Sequence, residues 1–258
     1  MDIKGKAAIV TGSSSGTGIG SETAKLLAER GCNVVINYAT DKSGAEDVAA
    51  ICRKSGVDAF AVQADVAKDA DCRRMVAAAV ERFGRLDVLV NNAAVTKPIP
   101  HREMDKLNAD EFERIFSVNL IGNYQMTRAA APHLKATGDA AVVNISSVAA
   151  WRAGGSSMAY VASKGALNTL TIAMARVLAP EVRVNAICPG GVLGNAWTTK
   201  ILGDEGYAKR VSEAESKYPL HRAIYPKDVA AAVLFLIEGA VAMTGECIRM
   251  DCGQHLMR

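Results

Sequence analysis

Aromatic residues are scarce in this chain: two Trp, five Phe and six Tyr among 258 positions. Long apolar runs are missing too. The longest uncharged stretch, Val184–Thr199, spans 16 residues and is broken by Pro189 and three glycines, too short and too interrupted to cross a bilayer. There is no basic block. Thirty Lys and Arg against 27 Asp and Glu, with both signs dispersed, leave a net charge of +3 and no strip that would follow a phosphate backbone. None of the six cysteines (Cys32, Cys52, Cys72, Cys188, Cys247, Cys252) forms a C-x-x-C pair, and no clustered ligands suggest a metal. The start shows no secretion signal, so free thiols in a reduced, cytoplasmic setting are expected. Neither nucleic acid nor membrane is expected as a partner.

What the chain does have is apolar mass, 50% of residues, enough to bury a sizeable core in one domain spanning 1–258. Strand-length runs rich in Ala, Val and Ile alternate with segments of helical composition. Strands are expected at Lys6–Thr11, Asn33–Tyr38, Ala59–Ala64, Leu86–Val90, Ala140–Ile145, Val182–Ile187 and Cys247–Met250. Helices are expected at Glu22–Arg30, Gly44–Ser55, Asp69–Phe83, about Ala109–His133, about Tyr160–Leu178 and Asp228–Ile237. Strands without polar alternation are buried on both faces, which calls for a parallel sheet covered on each side. The pattern predicts a doubly wound α/β Rossmann fold of about seven strands. Residues 191–219 have weak periodicity and are the candidate for a lid over the substrate.

Between the first strand and first helix lies Thr11-Gly12-Ser13-Ser14-Ser15-Gly16-Thr17-Gly18-Ile19-Gly20. Glycines at such a turn let backbone N–H groups and a helix N-terminus approach a pyrophosphate. The G-x-G-x-x-G spelling is absent, and so is G-K-[ST], which argues against a Walker-type nucleotidase. Gly12, Ser14, Ser15, Gly16, Gly18 and Ile19 are candidate cofactor contacts.

Tyr160-Val-Ala-Ser-Lys164 puts a phenol and an ammonium one helical turn apart. A cation beside a phenol favours the phenolate, so Lys164 is expected to lower the Tyr160 pKa and make it an acid/base group. A second copy, Tyr38 to Lys42, has no hydroxyl 13 residues upstream and reads as coincidence. Tyr160 has Ser147 at that spacing, where the fifth strand runs out, so a hydroxyl there could hydrogen-bond the oxygen that Tyr160 protonates. Asn119 sits mid-helix, where an Asn costs propensity and needs a reason.

With these residues in place the chain resembles the short-chain dehydrogenase/reductases over nearly its whole length. The matching motifs are T-G-x3-G-x-G at Thr11–Gly18, Asp65-Val66, Asn91-Asn92-Ala93, Asn119, Ser147, Tyr160 with Lys164, and Pro189-Gly190. The resemblance implies hydride transfer between a nicotinamide and a carbonyl or secondary alcohol. It makes Tyr160 the acid/base and Ser147 the group that polarises the substrate oxygen. Lys164 would hold the ribose, and Asn119 a proton-relaying water. Asp65 and Val66 would flank the adenine, with Asn92, Ala93, Ala94, Pro189, Gly190 and Val192 lining the cofactor cleft. A homotetramer is also implied. Three departures stand out: a glycine loop two residues longer than usual, Ala94 where Gly is common, and Gly194 where a Thr often follows.

The second strand runs out through Tyr38, Ala39 and Thr40, the candidate ribose contacts, without a carboxylate until Asp41, which favours NADP(H) over NAD(H). Lys42 or Thr40 could meet a 2′-phosphate. The pattern is similar to 3-oxoacyl-(acyl-carrier-protein) reductases, although Glu181 stands where a basic residue would help dock a carrier, and only Lys135 lies nearby. An NAD-linked sugar or polyol dehydrogenase, or a non-catalytic NADP(H) sensor, are the other readings. Ala149, Trp151, Met158, Trp197 and Tyr207 are candidates for an apolar substrate pocket.

Overall fold

The computed structural model describes residues 1–257, with the side chains of Ala196 and Trp197 outside the described set. Seven parallel strands form one sheet in the order β3-β2-β1-β4-β5-β6-β7. They are β1 (Ala7–Val10), β2 (Asn33–Tyr38), β3 (Ala59–Gln63), β4 (Val88–Asn91), β5 (Ala140–Ile145), β6 (Val182–Pro189) and β7 (Cys247–Met250). The strand order reverses between β1 and β4, and a doubly wound sheet opens its crevice at that point.

Alternate residues of each strand feed opposite cores, as their unbroken apolar runs require. Ala8, Val10, Val34 and Ile36 join one layer with α1 (Ile19–Glu29), α2 (Lys42–Arg53) and α9 (Pro226–Glu238). Ile9, Val35 and Leu89 join the other with α3 (Asp69–Phe83), α5 (Asn123–Ala136) and α7 (Met158–Leu178). The helices stop where the chain can turn: Gly31 (φ +84°) follows α1 and Gly84 (φ +72°) follows α3. Helix α2 begins two residues earlier than expected because the Asp41 carboxylate accepts the Gly44 N–H at 3.0 Å and caps it.

Two other differences bear on the site. The single helix expected over 109–133 is divided into α4 (Ala109–Phe116), a π-helical turn at Ser117–Gly122, and α5. Residues 196–217, which lack a clear apolar stripe, nonetheless form α8 (Ala196–Lys217), capped by Asn195 and kinked at Gly203 (φ +66°, ψ 172°). A short α6 (Ala149–Arg152) links β5 to α7.

A buried amide network ties the middle of the sheet to its helices. Asn91 and Asn144 are register partners on β4 and β5, and Asn91 Nδ2 donates to Asn144 Oδ1 at 2.9 Å. Asn144 Nδ2 donates to the Thr171 hydroxyl on α7, and Asn91 Nδ2 also reaches the Thr127 hydroxyl on α5.

Candidate active site

The glycine loop is held from three sides before any ligand is considered. Asn37, buried on β2, accepts the Gly12 N–H at 3.0 Å and sends its amide N–H groups to the carbonyls of Tyr38, Val62 and Ala64. From β4, Asn92 Nδ2 donates to the Thr11 and Gly12 carbonyls at 2.9 and 2.8 Å. The Thr11 hydroxyl accepts the N–H groups of Asn92 and Ala93 and donates to the Val90 carbonyl. Gly12 has φ +61°, and a Cβ there would lie 2.9 Å from the Ala93 Cα. Gly18 is the N-cap of α1 and offers no side-chain cap, so the first N–H groups of that helix remain for another acceptor. Gly20 has a different duty: a Cβ there would fall 2.6 Å from both Asn92 Nδ2 and the Gly12 carbonyl, so it allows helix and strand loops to pack. Gly16 does not line the cleft. Its carbonyl accepts from Lys25 Nζ at 2.7 Å on the outer side of the loop.

One cleft of about 1050 Å³ runs along the carboxyl ends of the strands. It is lined by Gly12, Ser14, Ser15, Gly18 and Ile19 of the glycine loop, and by Tyr38, Ala39, Thr40 and Asp41 after β2. Asp65 and Val66 line it too, with Asn92, Ala93 and Ala94. Pro189, Gly190 and Val192 belong to the same wall as Ser147, Tyr160 and Lys164. Lys42 lines neither this cleft nor the hollow of about 390 Å³ that adjoins it, where Ala39 and Thr40 meet Lys68 and Arg74. Sequence reasoning missed those two cations, and Asn37, because their places depend on β3 and α3 lying beside β2.

Tyr160 sits in the first turn of α7, where Ser157 caps the helix by accepting the Tyr160 N–H. Its phenol is hydrogen-bonded with Ser147, whose own Oγ accepts the Ala149 N–H at 3.1 Å. Lys164 is 1% exposed, with Nζ donating to the Ile145 carbonyl at 2.8 Å and standing 5.7 Å from the Tyr160 ring centre. Among the described residues no carboxylate pairs with it. Burial pushes the ammonium down to about 8. Burial also pushes the Tyr160 phenol up to about 12, against the opposing hydrogen bond with Ser147. Desolvation of the phenolate dominates, and Lys164 does not figure among the groups that move it.

Asn119 falls in the π-helical turn and is fully buried. Its Oδ1 accepts the Val95 N–H at 2.8 Å, and its Nδ2 donates to the Val95 carbonyl at 3.0 Å and to the Ser163 hydroxyl at 3.1 Å. Ser163 in turn donates to the Tyr160 carbonyl. The amide thus brackets the loop after β4 to the helix that carries Tyr160, without touching Lys164.

The substrate end differs from the pocket expected. Of the named apolar candidates, Ala149 lines the cleft. Trp151 does not; its ring is 44% exposed beneath the Arg249 guanidinium. Tyr207 accepts the Gly194 N–H at 3.0 Å, and neither it nor Met158 is in the wall; Trp197 lies outside the described side chains. The wall is instead Leu193, Ile201, Leu202 and Tyr218, with Arg152, Arg210 and Gln254. Thr198 is also there, its hydroxyl donating to the Val192 carbonyl at 2.7 Å.

Comparison with known proteins agrees with this arrangement. A family model described as enoyl-(acyl carrier protein) reductase matches residues 12–255. The granaticin polyketide synthase ketoacyl reductase 2 of Streptomyces violaceoruber is 42% identical over 250 residues, 97% of this chain and 96% of that protein. The 3-oxoacyl-(acyl-carrier-protein) reductase of Staphylococcus aureus is 35% identical, covering 97% of this chain and 98% of its own. A crystal structure of a short-chain dehydrogenase/reductase from Burkholderia xenovorans superposes with a TM-score of 0.88 at 42% identity, covering 97% of this chain and 98% of its own.

The fold and these matches define an oxidoreductase that interconverts a carbonyl and a CH–OH group with NAD(P): the chain belongs to the short-chain dehydrogenase/reductase family. Within it, the chain resembles the 3-oxoacyl-(acyl-carrier-protein) reductases. The site suits a dinucleotide on its own terms. Gly12, which has no room for a Cβ against Ala93, lets the loop lie close under the cleft, the α1 N-terminus lacks a side-chain cap, and a buried ammonium faces the cleft without a counter-ion among the described residues. No helix is long and apolar enough to cross a membrane among the described residues.

Proposed function

We propose that this protein is an NADP(H)-dependent ketoreductase, with Tyr160 as the proton donor to the substrate oxygen. The bound nicotinamide supplies the hydride, and the protein's own residues supply position and the proton. The α1 N-terminus with Ser14 and Ser15 would hold the pyrophosphate. Tyr38, Ala39 and Thr40 would meet the adenosine ribose, with Val66 against the base. Lys164 would hold the nicotinamide ribose, Ala94 and Val192 would border the ring, and Asn119 positions the helix that carries Tyr160. Ser147 hydrogen-bonds with Tyr160 and would orient the carbonyl oxygen on which the proton arrives.

The observation that carries this reading is the convergence of Ser147, Tyr160 and Lys164 on one cleft, the Tyr160 phenol hydrogen-bonded with Ser147 and the Lys164 ammonium held by the Ile145 carbonyl. The similarity to proteins named as ketoacyl reductases favours reduction over an NAD-linked polyol oxidation, and a sensor would have no use for the arrangement. NADP(H) is favoured because the chain after β2 offers Ala39 and Thr40 before any carboxylate, Asp41 caps α2, and Lys68 and Arg74 line the adjoining hollow together with Asp65 and Asp71. Arg74 is shared with Asp71 at 2.7 Å, leaving Lys68 the more available cation. Residues 191–219 would act as the lid, with α8 turning about Gly203.

The decisive test is a ketone panel followed by loss of the reduced-nicotinamide absorbance. Tyr160→Phe should lower kcat by about a thousandfold while dinucleotide affinity stays within about threefold. Turnover surviving in that variant would refute the assignment. A fluorescence titration should show tighter binding of NADPH than NADH, and the reverse order would overturn the cofactor preference alone.

A further inference from the structure

The cleft wall also carries residues that proton transfer does not need: the apolar Leu193, Ile201 and Leu202, and the polar Arg152, Arg210, Tyr218 and Gln254. Separate elements bring these four together. Arg152 is the last residue of α6, five positions after Ser147, and the chain turns away immediately at Ala153 (φ +51°). Arg210 comes from the second half of α8, and Tyr218, 3% exposed, is the residue that ends that helix. Gln254 follows β7, and its Nε2 donates to the Tyr218 hydroxyl at 2.8 Å.

The two guanidinium groups act on one point. Burial pushes the Tyr218 phenol up, while Arg210, through charge and a hydrogen bond, and Arg152, through charge, oppose it. Glu213 partly neutralises Arg210, one turn along the same helix at 3.1 Å with both side chains partly exposed. Arg152 makes no ion pair among the described residues. The same cleft therefore offers a proton donor, apolar wall residues, and an excess of positive charge with planar donors on two exposed arginines. Guanidinium forks match the geometry of carboxylate and phosphate oxygens. A carboxylate or phosphate would answer that charge, which a neutral polyol or a plain hydrocarbon ketone would not.

We propose that Arg152 and Arg210, with Gln254 and the Tyr218 hydroxyl, form an anion subsite that selects keto substrates carrying a carboxylate or phosphate head group. The inference rests on the ketoreductase reading and names the substrate class for that site. The apolar span between the reacting carbonyl and the head group would set the preferred chain length. These residues, from α6, α8 and the segment after β7, are a different set from the proposed phosphate contacts at the N-terminus of α1.

The test compares keto acids of increasing length (3-oxo, 4-oxo and 5-oxo) with their methyl esters, and a keto alcohol with its phosphate ester, all with NADPH. At the best length the anion should exceed its ester in kcat/KM by at least tenfold, since one charge-assisted contact is worth roughly tenfold to a hundredfold. The acid and phosphate arms identify the head group. In Arg152→Gln/Arg210→Gln the anion-to-ester ratio should fall to within about threefold of unity. The corresponding Lys substitutions, which keep charge and fold, should restore part of it. An ester turned over as well as its acid, or an anion preference that survives the double substitution, overturns the subsite. Should neither anion nor ester be reduced, the ketoreductase reading fails, and calorimetry decides the subsite separately. Binding of the matching saturated carboxylate to the NADPH complex that is lost in the double variant supports it; equal binding, or none in the unaltered protein, overturns it.

Discussion

Replacing Lys164 by Met should make the protein more stable and inactive. The ammonium is 1% exposed, lacks a carboxylate partner among the described residues, and has been pushed from 10.5 to about 8 by burial. That fall corresponds to about 3 kcal/mol by which folding disfavours the charged form at neutral pH. Methionine fills similar space without a charge. Losing the hydrogen bond to the Ile145 carbonyl returns about 1 kcal/mol, leaving a net gain of about 2 kcal/mol. In a chain of this size that raises the unfolding midpoint by about 4–8 °C. The pH dependence gives the signature. Below about 8 the lysine is charged in both folded and unfolded states and the penalty is complete. As pH rises through that value the folded protein sheds the proton first, the native lysine protein gains stability, and the advantage of Met should vanish by about pH 10. Thermal unfolding of both proteins at neutral and alkaline pH measures this directly. A Met variant less stable than the parent at neutral pH, or a difference that ignores pH, would refute the reasoning.

Other outcomes follow from the same geometry. With the dinucleotide as varied substrate, kcat/KM should be flat near neutrality and fall above about pH 8 as Lys164 loses its charge, a bend that a stopped-flow pH series would show or exclude. Asn119→Ala leaves the Val95 N–H and carbonyl without their partner and should cost about 3 kcal/mol, with kcat falling along with the midpoint; an unchanged melting curve would contradict the bracket. Gly20→Ala places a methyl 2.6 Å from the Gly12 carbonyl and Asn92 Nδ2, and should destabilise by about 2 kcal/mol and weaken dinucleotide binding at least tenfold, as fluorescence titration would report.

The sheet and its order of elements were legible because the inner strands, such as β1 and β5, are buried on both faces, and few folds bury strands that way. The catalytic spacing was legible for the same reason: Ser147 and Tyr160 lie at the end of a strand and the start of a helix, whose positions the pattern fixes. What escaped depends on neighbours far along the chain. The cost of an Asn at position 119 was visible, yet its reason, an amide pair with Val95 and a π-helical turn, exists only once the β4 loop folds back. Gly16 and Gly20 look alike in sequence; one lies at the outer edge of its loop and the other is a packing contact. Trp151 reads as an apolar pocket candidate, yet it is exposed against Arg249, and its neighbour Arg152 is the residue that lines the cleft. The nearness of Lys164 to Tyr160 is readable from spacing, whereas the burial that raises the phenol is not.

The paired amides of Asn91 and Asn144 act as an index mark between two strands that are otherwise slippery aliphatic rails. Sliding either rail by one residue would turn both amides away from each other and strand their donors in a dry interior. Asn92 is the next residue along one rail, and Ser147 is three beyond the mark on the other. Their alignment across the crevice is inherited from that notch, so a change at Asn91 or Asn144 should detune catalysis without touching any reacting atom.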